Sequence, residues 1–365
     1  MKNNLKIILS FFIGILVLQT TQAQLKDVGS MISGSAQDAE KLFSAYLKPY
    51  SKAFGADLSG GWYNTAKTHK LGGFDLTFSI SAAIVPSSDK TFNVADLKLQ
   101  GNPLITNGPM APTVAGAKSE GAQLEYQKSV NGTNYTYAKF NTPKGTGVGI
   151  IPAPMLQLGI GLIKETDVTV RYMPNMNVGD YGGLSLWGVG IKHSIKQWIP
   201  GIKQAPFFHL SFFGGYTQLK TNANLNFSPD FFVNNLNATR GTLVKDYTNQ
   251  QMQMNVNGFT ANILASFDLP VITFYGGVGL SSTSTTLKLK GIYPLANVEG
   301  GKLLVDDKFA KTDPISINMK SSDGSTTKPR LNAGIKFKLT IITIHFDYTY
   351  ANYSVATAGL GISFR

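Results

Sequence analysis

The chain has no cysteine among its 365 residues. That excludes disulfides, thiolate metal sites and a lipid anchor on Cys. Charge is sparse too: 15% of residues are Asp, Glu, Lys or Arg, against about 25% in ordinary soluble domains. Carboxylates are the scarcer sign, 21 against 33 Lys and Arg, for a net charge of +12. Beyond the first 23 residues nothing approaches the roughly 18 consecutive apolar residues of a spanning helix. A nucleotide loop is missing: no Lys-Ser/Thr pair follows Gly145-Thr146-Gly147-Val148-Gly149. Asp306-Asp307 and Asp323-Gly324 lack the ligand spacing of a calcium loop and read as solvated loop charges. No cofactor and no metal are expected.

What is present points to export. Lys2 and Lys6 precede the apolar run Ile7 to Leu18, and Thr21-Gln22-Ala23 offers small residues for cleavage before Gln24. This is the pattern of a secretory signal peptide over residues 1–23. Removing Lys2 and Lys6 takes the charge from +12 to +10, which favours anionic lipid head groups or anionic solutes. Nucleic acid is not an expected partner of an exported chain without a basic motif.

Most of the remainder alternates with period two. Phe74, Leu76, Phe78, Ile80, Ala82 and Ile84 alternate with Asp75, Thr77, Ser79 and Ser81. Successive side chains of a strand point to opposite faces, so one face suits lipid and the other a lumen. Met155 to Tyr172 reads as a hairpin, with Arg171 on the lumen face. Further strands are expected over 182–194, 206–220, 250–267, 271–282, 331–339, 341–350 and 355–365. Weaker segments lie at 92–100, 122–128, 133–140, 285–293 and 315–320. The turns at Asp268-Leu269-Pro270 and Thr340 are short, whereas 221–249 and 291–328 are long and polar. Short turns at one end and long loops at the other belong to outer-membrane barrels.

One helix precedes the strands. Ala39, Leu42, Phe43, Tyr46, Leu47, Tyr50 and Phe54 fall at helical spacing between Ser35 and Phe54. Pro49 is expected to kink it or end it near Lys48. Coming before every strand, it is a plug in the lumen, a helix on the membrane surface or a partner-binding helix. The expected architecture is all-β: a transmembrane antiparallel β-barrel of 12–14 strands, 14 preferred, with a short N-terminal helical plug. Residues 24–70 would form the helix and plug, and 71–365 the barrel.

Two stretches carry a family resemblance. The end of the chain, Val355 to Phe364 followed by Arg365, resembles the C-terminal signal of outer-membrane barrels that the barrel-assembly machinery reads. Gly60-Gly61-Trp62-Tyr63-Asn64-Thr65-Ala66-Lys67 is similar to the hatch region of the long-chain fatty-acid transporter family. Trp187 to Pro200 looks like part of an uncharacterised outer-membrane family related to those transporters. The resemblance implies a Gram-negative outer-membrane barrel, among outer-membrane lipids, that passively admits a small hydrophobic or amphipathic solute through a plugged lumen. Phe54, Trp62, Tyr63 and Asn64 on the plug, and Arg171, His345 and Asp347 on the wall, are the candidate ligand-binding residues. A non-transporting structural or assembly component is the alternative. A membrane-embedded hydrolase would rest on His345 and Asp347, which share one strand face, with Ser363 on the neighbouring strand. A hydrogen-bonded network inside the barrel is the plainer reading of that pair, and no enzyme is assigned.

Overall fold

A computed structural model describes residues 28–177, 182–319 and 327–364. The expected signal peptide and Arg365 lie outside the described residues. Ten strands form the wall: β1 (Phe74–Ile84), β2 (Ile150–Leu162), β3 (Thr166–Asn177), β4 (Gly182–Ser194), β5 (Phe208–Leu225), β6 (Gln250–Asp268), β7 (Ile272–Lys290), β8 (Thr327–Leu339), β9 (Ile342–Tyr350) and β10 (Ser354–Phe364). Each pairs antiparallel with its neighbours in sequence, and β10 returns to β1. Phe74 sits opposite Phe364 and Ile84 opposite Ser354, so the sheet is a closed barrel without a free edge.

The count corrects the preferred 14. The weaker segments alternate, yet they do not become staves. Gln123–Val130 and Thr133–Asn141 pair with each other, and Thr91–Asn93 pairs with Met110–Pro112. Residues 285–290 lengthen β7, and Ile315–Met319 pairs with that overhang. Alternation records a two-sided environment; it does not say which partner supplies the second side.

Outward positions of the wall carry bulky apolar side chains. On β6 these are Phe259, Ile263 and Phe267, all exposed, and on β7 Phe274, Val278 and Leu280. Further along the same two strands the outward row turns polar, at Gln253 and Asn255 and at Ser282 and Ser284. The apolar band thus ends well before the strands do. At one end of the barrel three connections are short, at 163–165, 269–271 and 340–341, and the fourth, 195–207, is longer. At the other, 351–353 is short, whereas 85–149, 226–249 and the described residues 291–319 are long and build a cap over the opening.

Helix α1 (Ala36–Ser59) stands inside this wall, in contact with β1, β2, β5, β6, β7 and β10. Ser35 caps it, its side chain accepting from the Asp38 amide at 3.1 Å. The helix runs past the expected end, with Pro49 inside it. Pro49 removes the donor for the Ala45 carbonyl, and Ala45 borders a cavity rather than a packed wall. The next turns are held by burial of Ala53 and Leu58. The N-terminal half of α1 packs in the cap. Asp38 accepts from the amides of Gln100 and Gly101, at 2.6 and 2.9 Å. Leu42, Phe43 and Leu47 are buried in one apolar cluster with Met155, Leu219 and Val256 of the wall. Full burial of such side chains contributes roughly 1.5–3 kcal/mol each. After α1, residues 60–73 continue to the short-turn end, where the Gly72 amide donates to Gly161. The segment before β1 therefore runs the length of the lumen.

Candidate functional site

The C-terminal end of α1 is the centre of the lumen. A helix leaves its last carbonyls unpaired and carries partial negative charge there. Two arginines meet that end. Arg171 on β3 is fully buried and donates to the carbonyls of Leu58 (3.1 Å) and Gly60 (2.7 Å) and to Gln157 Oε1 (3.0 Å). Arg330 on β8 donates to the Ser59 carbonyl and to the hydroxyls of Thr260 (2.9 Å) and Thr349 (3.3 Å). Strands β3 and β8 are five apart in a ring of ten. The guanidinium groups therefore reach the helix end from opposite walls. Gly61, at φ +62°, then turns the chain beneath Ser81 and Thr357.

Below the clamp the lumen is filled. The Arg171 guanidinium lies 3.6 Å from the Trp62 ring centroid. Trp62, Tyr63, Ala66, Phe213, Leu264 and Tyr275 form one buried cluster. The Tyr63 hydroxyl donates to Asn332 Oδ1 at 2.8 Å, and Tyr275 donates to Asp347 Oδ2 at 3.1 Å. Nearer the short-turn end the packing becomes ionic. His69 Nδ1 is 3.0 Å from Asp167 Oδ2, Lys192 Nζ is 3.1 Å from the same oxygen, and His69 Nε2 is 3.3 Å from Asp75. Thr65 donates to Asp268 at 2.8 Å. Lys336 reaches Asn64 Oδ1 at 3.4 Å.

Above the clamp, space remains. A cavity of about 850 Å³ lies along the polar stripe of α1, from Lys41 to Ser59. Ser281, Thr283 and Thr349 face it from the wall, and Phe92 and Asp96 border it in the cap. Arg330 lies at its inner end. On its flank Lys52 and Lys48 share Asp89, at 3.0 and 3.5 Å, and the Tyr353 hydroxyl donates to Asp89 at 2.7 Å. Burial by itself would raise the Asp89 carboxyl. The Tyr353 and Lys52 hydrogen bonds and the two ammonium charges outweigh it and hold Asp89 below the usual carboxylate range.

The seven expected site residues separate into groups. Arg171 and Trp62 stack, while Tyr63 and Asp347 reach the same patch through Asn332 and Tyr275. Asn64 meets Lys336. Phe54 is half-buried, edge-on to Tyr50 with centroids 5.9 Å apart, on the rim of the apolar cluster. His345 and Asp347 share the inward face, but no hydrogen bond joins them. Among the described residues neither His345 nitrogen has a hydrogen-bond partner, and the ring lies over Gly359. Ser363 is displaced along β10, because the register sets His345 against Gly359. The three residues are not arranged as a nucleophile, base and orienter. Asp306 and Asp307 are not solvated loop charges. Asp306 accepts from the Thr242 amide at 3.0 Å, and Asp307 from Val244 at 2.8 Å, tying two cap loops together. Sequence reasoning missed Arg330, because the expected strand opens at Leu331 whereas β8 opens at Thr327. It also missed Gln157, and it placed Asp75 and Asp167 on lumen faces without their meeting with His69 and Lys192. All of these but His69, which lies on the plug segment, are polar residues on inward rows, the same signal that revealed Arg171.

No match is found among curated proteins. Among solved structures, the chain is similar to Ail, the attachment invasion locus protein of Yersinia pestis, at 10% identity and TM-score 0.26, over 80% of this chain and 98% of that one. The toluene transporter TodX of P. putida follows at 8% identity and TM-score 0.25, over 81% and 91%. A Pseudomonas aeruginosa FadL homologue matches at 9% identity and TM-score 0.23, over 80% and 91%. The expected kinship with an uncharacterised family has a direct counterpart at the level of sequence. The profile of the family of unknown function DUF6588 matches residues 1–364, and the chain belongs to that family.

Proposed function

We propose that the protein is an outer-membrane barrel for passive uptake of small hydrophobic or amphipathic solutes, entered from the long-loop end and gated by its N-terminal plug. The observation that carries this reading is the cavity beside α1, with the arginine clamp at its inner end. An amphipathic helix in a lumen packs one face and leaves the other to line space. That space holds a drug-sized molecule, for which pockets of about 300–1,000 Å³ are usual. The membrane location rests on the outward apolar band, on the loop asymmetry and on the signal peptide expected from the sequence. Onward passage requires the helix end to leave Arg171 and Arg330 and the Trp62 cluster to open. Trp62, Tyr63, Asn64, Arg171 and Asp347 would act at this gate, and Phe54 and His345 at its margins.

A non-transporting role in the outer membrane is the second reading, favoured by the filled and ion-paired lower lumen. One experiment separates the two. A Cβ placed on Gly55 falls 2.9 Å from Thr283 Cβ, close to the separation that a disulfide spans after a small shift. The chain has no cysteine of its own. In proteoliposomes carrying Gly55→Cys with Thr283→Cys, entry of p-nitrophenyl glucoside should stop on oxidation and return on reduction. Equal entry in both states would remove the gated channel, and no entry in either would favour the non-transporting role.

A further inference from the structure

We infer that the cavity beside α1 is a binding site for an acidic oligosaccharide, a hydroxyl-rich chain bearing carboxylates. The inference rests on the reading of this cavity as the entry site and goes beyond it in the class of solute. Three features of the cavity carry it.

The first is charge. Lys41, Lys48, Lys52, Lys328 and Arg330 line the space, and Glu40, Asp89 and Asp96 oppose them. Five cations against three carboxylates leave a surplus of two. The surplus is clearest at mid-depth, where Lys48 and Lys52 share the single carboxylate of Asp89. An arriving carboxylate would find an ammonium there whose partner is already divided.

The second is length. Lys41 to Ser59 spans 18 helical steps, about 27 Å at 1.5 Å per residue. Along that path the helix presents Ser44, Lys48 and Lys52 and the wall answers with Ser281 and Thr283, while Ser51, Ser59 and Thr349, already bonded to Thr285, Gly55 and Arg330, border the space. Hydrogen-bonding groups therefore occur on both sides over most of the depth. An alkyl chain laid along it would displace their water and return no hydrogen bond. A chain of sugar rings returns one at nearly every step.

The third is where the apolar surface lies. Phe92 and Leu97 border the cavity in the cap, joined by Ile317 and Met319 of the strand beside β7. A sugar ring has a C–H face that suits such a patch and a hydroxyl edge that suits the walls.

The test uses the full-length barrel in a neutral detergent and isothermal titration with digalacturonate, cellobiose and laurate. Digalacturonate should bind at least tenfold tighter than cellobiose and weaken in 0.5 M NaCl. Lys52→Gln should weaken it about tenfold. Ala45→Trp, which fills the cavity from a helix position outside the apolar stripe, should abolish it. If laurate binds, is lost in Ala45→Trp, and digalacturonate does not bind, the ligand class is wrong and the entry site stands. If digalacturonate binds equally to Ala45→Trp, the site is elsewhere and the inference fails. If no compound binds, it fails as well. If digalacturonate binds as expected but the cysteine pair shows no redox-dependent entry, the binding site stands and the channel falls.

Discussion

Arg171 lies over Trp62 at 3.6 Å and also holds the carbonyls on either side of Ser59. One side chain thus fixes both the end of α1 and the first aromatic residue beyond it. Arg171→Met keeps the apolar stem but strands the Gly60 carbonyl and Gln157 Oε1 in a dry site, while the Leu58 carbonyl keeps the Trp62 indole at 3.1 Å. Each stranded acceptor costs about 1–3 kcal/mol. The expected result is a lower unfolding temperature in heat-shift electrophoresis and a red-shifted contribution from Trp62. Arg171→Lys should not rescue it, since an ammonium lacks the planar fork that serves two carbonyls and a ring together. An unchanged unfolding temperature in Arg171→Met would remove the clamp.

The two arginines act on one helix end, so their effects should not add. In a double-mutant cycle, Arg171→Met with Arg330→Met should show a coupling of about 0.5–3 kcal/mol, the range for residues sharing one network. Additive losses in chemical denaturation would mean that the two walls hold the plug independently.

Phe43 lies on the opposite face of α1 from the cavity and is fully buried. Phe43→Ala should cost about 3–5 kcal/mol. Because Phe43 packs against the cap and the upper wall, hydrogen exchange should rise first in α1 and in 85–149, with the lower strands still protected. Uniform loss of protection would show that plug and wall unfold as a single unit.

Two carboxylates in the cap set its acid limit. Asp89 is held below its usual range by Tyr353, Lys52 and Lys48 despite partial burial. Glu125 is held down at about 2 by the Thr136 hydroxyl, then by Gln127 and Lys139. Groups depressed in the folded state contribute fully above their ordinary value near 4, and the contribution is lost as pH falls through the folded one. Cleavage by pepsin within 85–149 should therefore increase between about pH 4 and pH 2. Asp89→Asn should cleave faster at pH 5 and change less over that window. A wild-type cap equally resistant at pH 5 and pH 2 would contradict this acid limit.

His345 is buried, and among the described residues neither ring nitrogen has a hydrogen-bond partner. His345→Ala should fold at normal yield, lose about 1–2 kcal/mol for the buried ring, and leave phospholipid turnover at background. Hydrolysis present in the wild type and absent in the variant would restore the enzyme reading.

The wall was legible because each stave faces two different environments. The 74–84 and 182–194 strands were bounded to the residue, and the inward placement of Arg171, His345 and Asp347 followed from period two alone. The number of staves was not legible. The hairpin 123–141 alternates as well as a stave does, but Leu124, Tyr126 and Phe140 turn their apolar row toward the cap and α1. Pro49 misled in the other direction. Its local cost is real, and burial of Ala53 and Leu58 with the arginine clamp on the last turn outweighs it. Which polar residues meet across the lumen was beyond reach too. Arg171 and Ser59 are more than a hundred positions apart, and only barrel closure brings their surroundings together.

Barrel closure has a consequence for the order of events. The seam joins Phe74 to Phe364, the first and last staves, whose rings sit 5.0 Å apart. The segment ahead of β1 already occupies the bore that this seam encloses. A ring shut around an empty bore would have to be reopened or threaded to admit α1, with its cap loops in the way. A sheet still open between β1 and β10 can instead curl around the helix lying on its concave side. The plug then works as a mandrel on which the wall is wound, and any change that delays docking of α1 should appear first as barrels that fail to close.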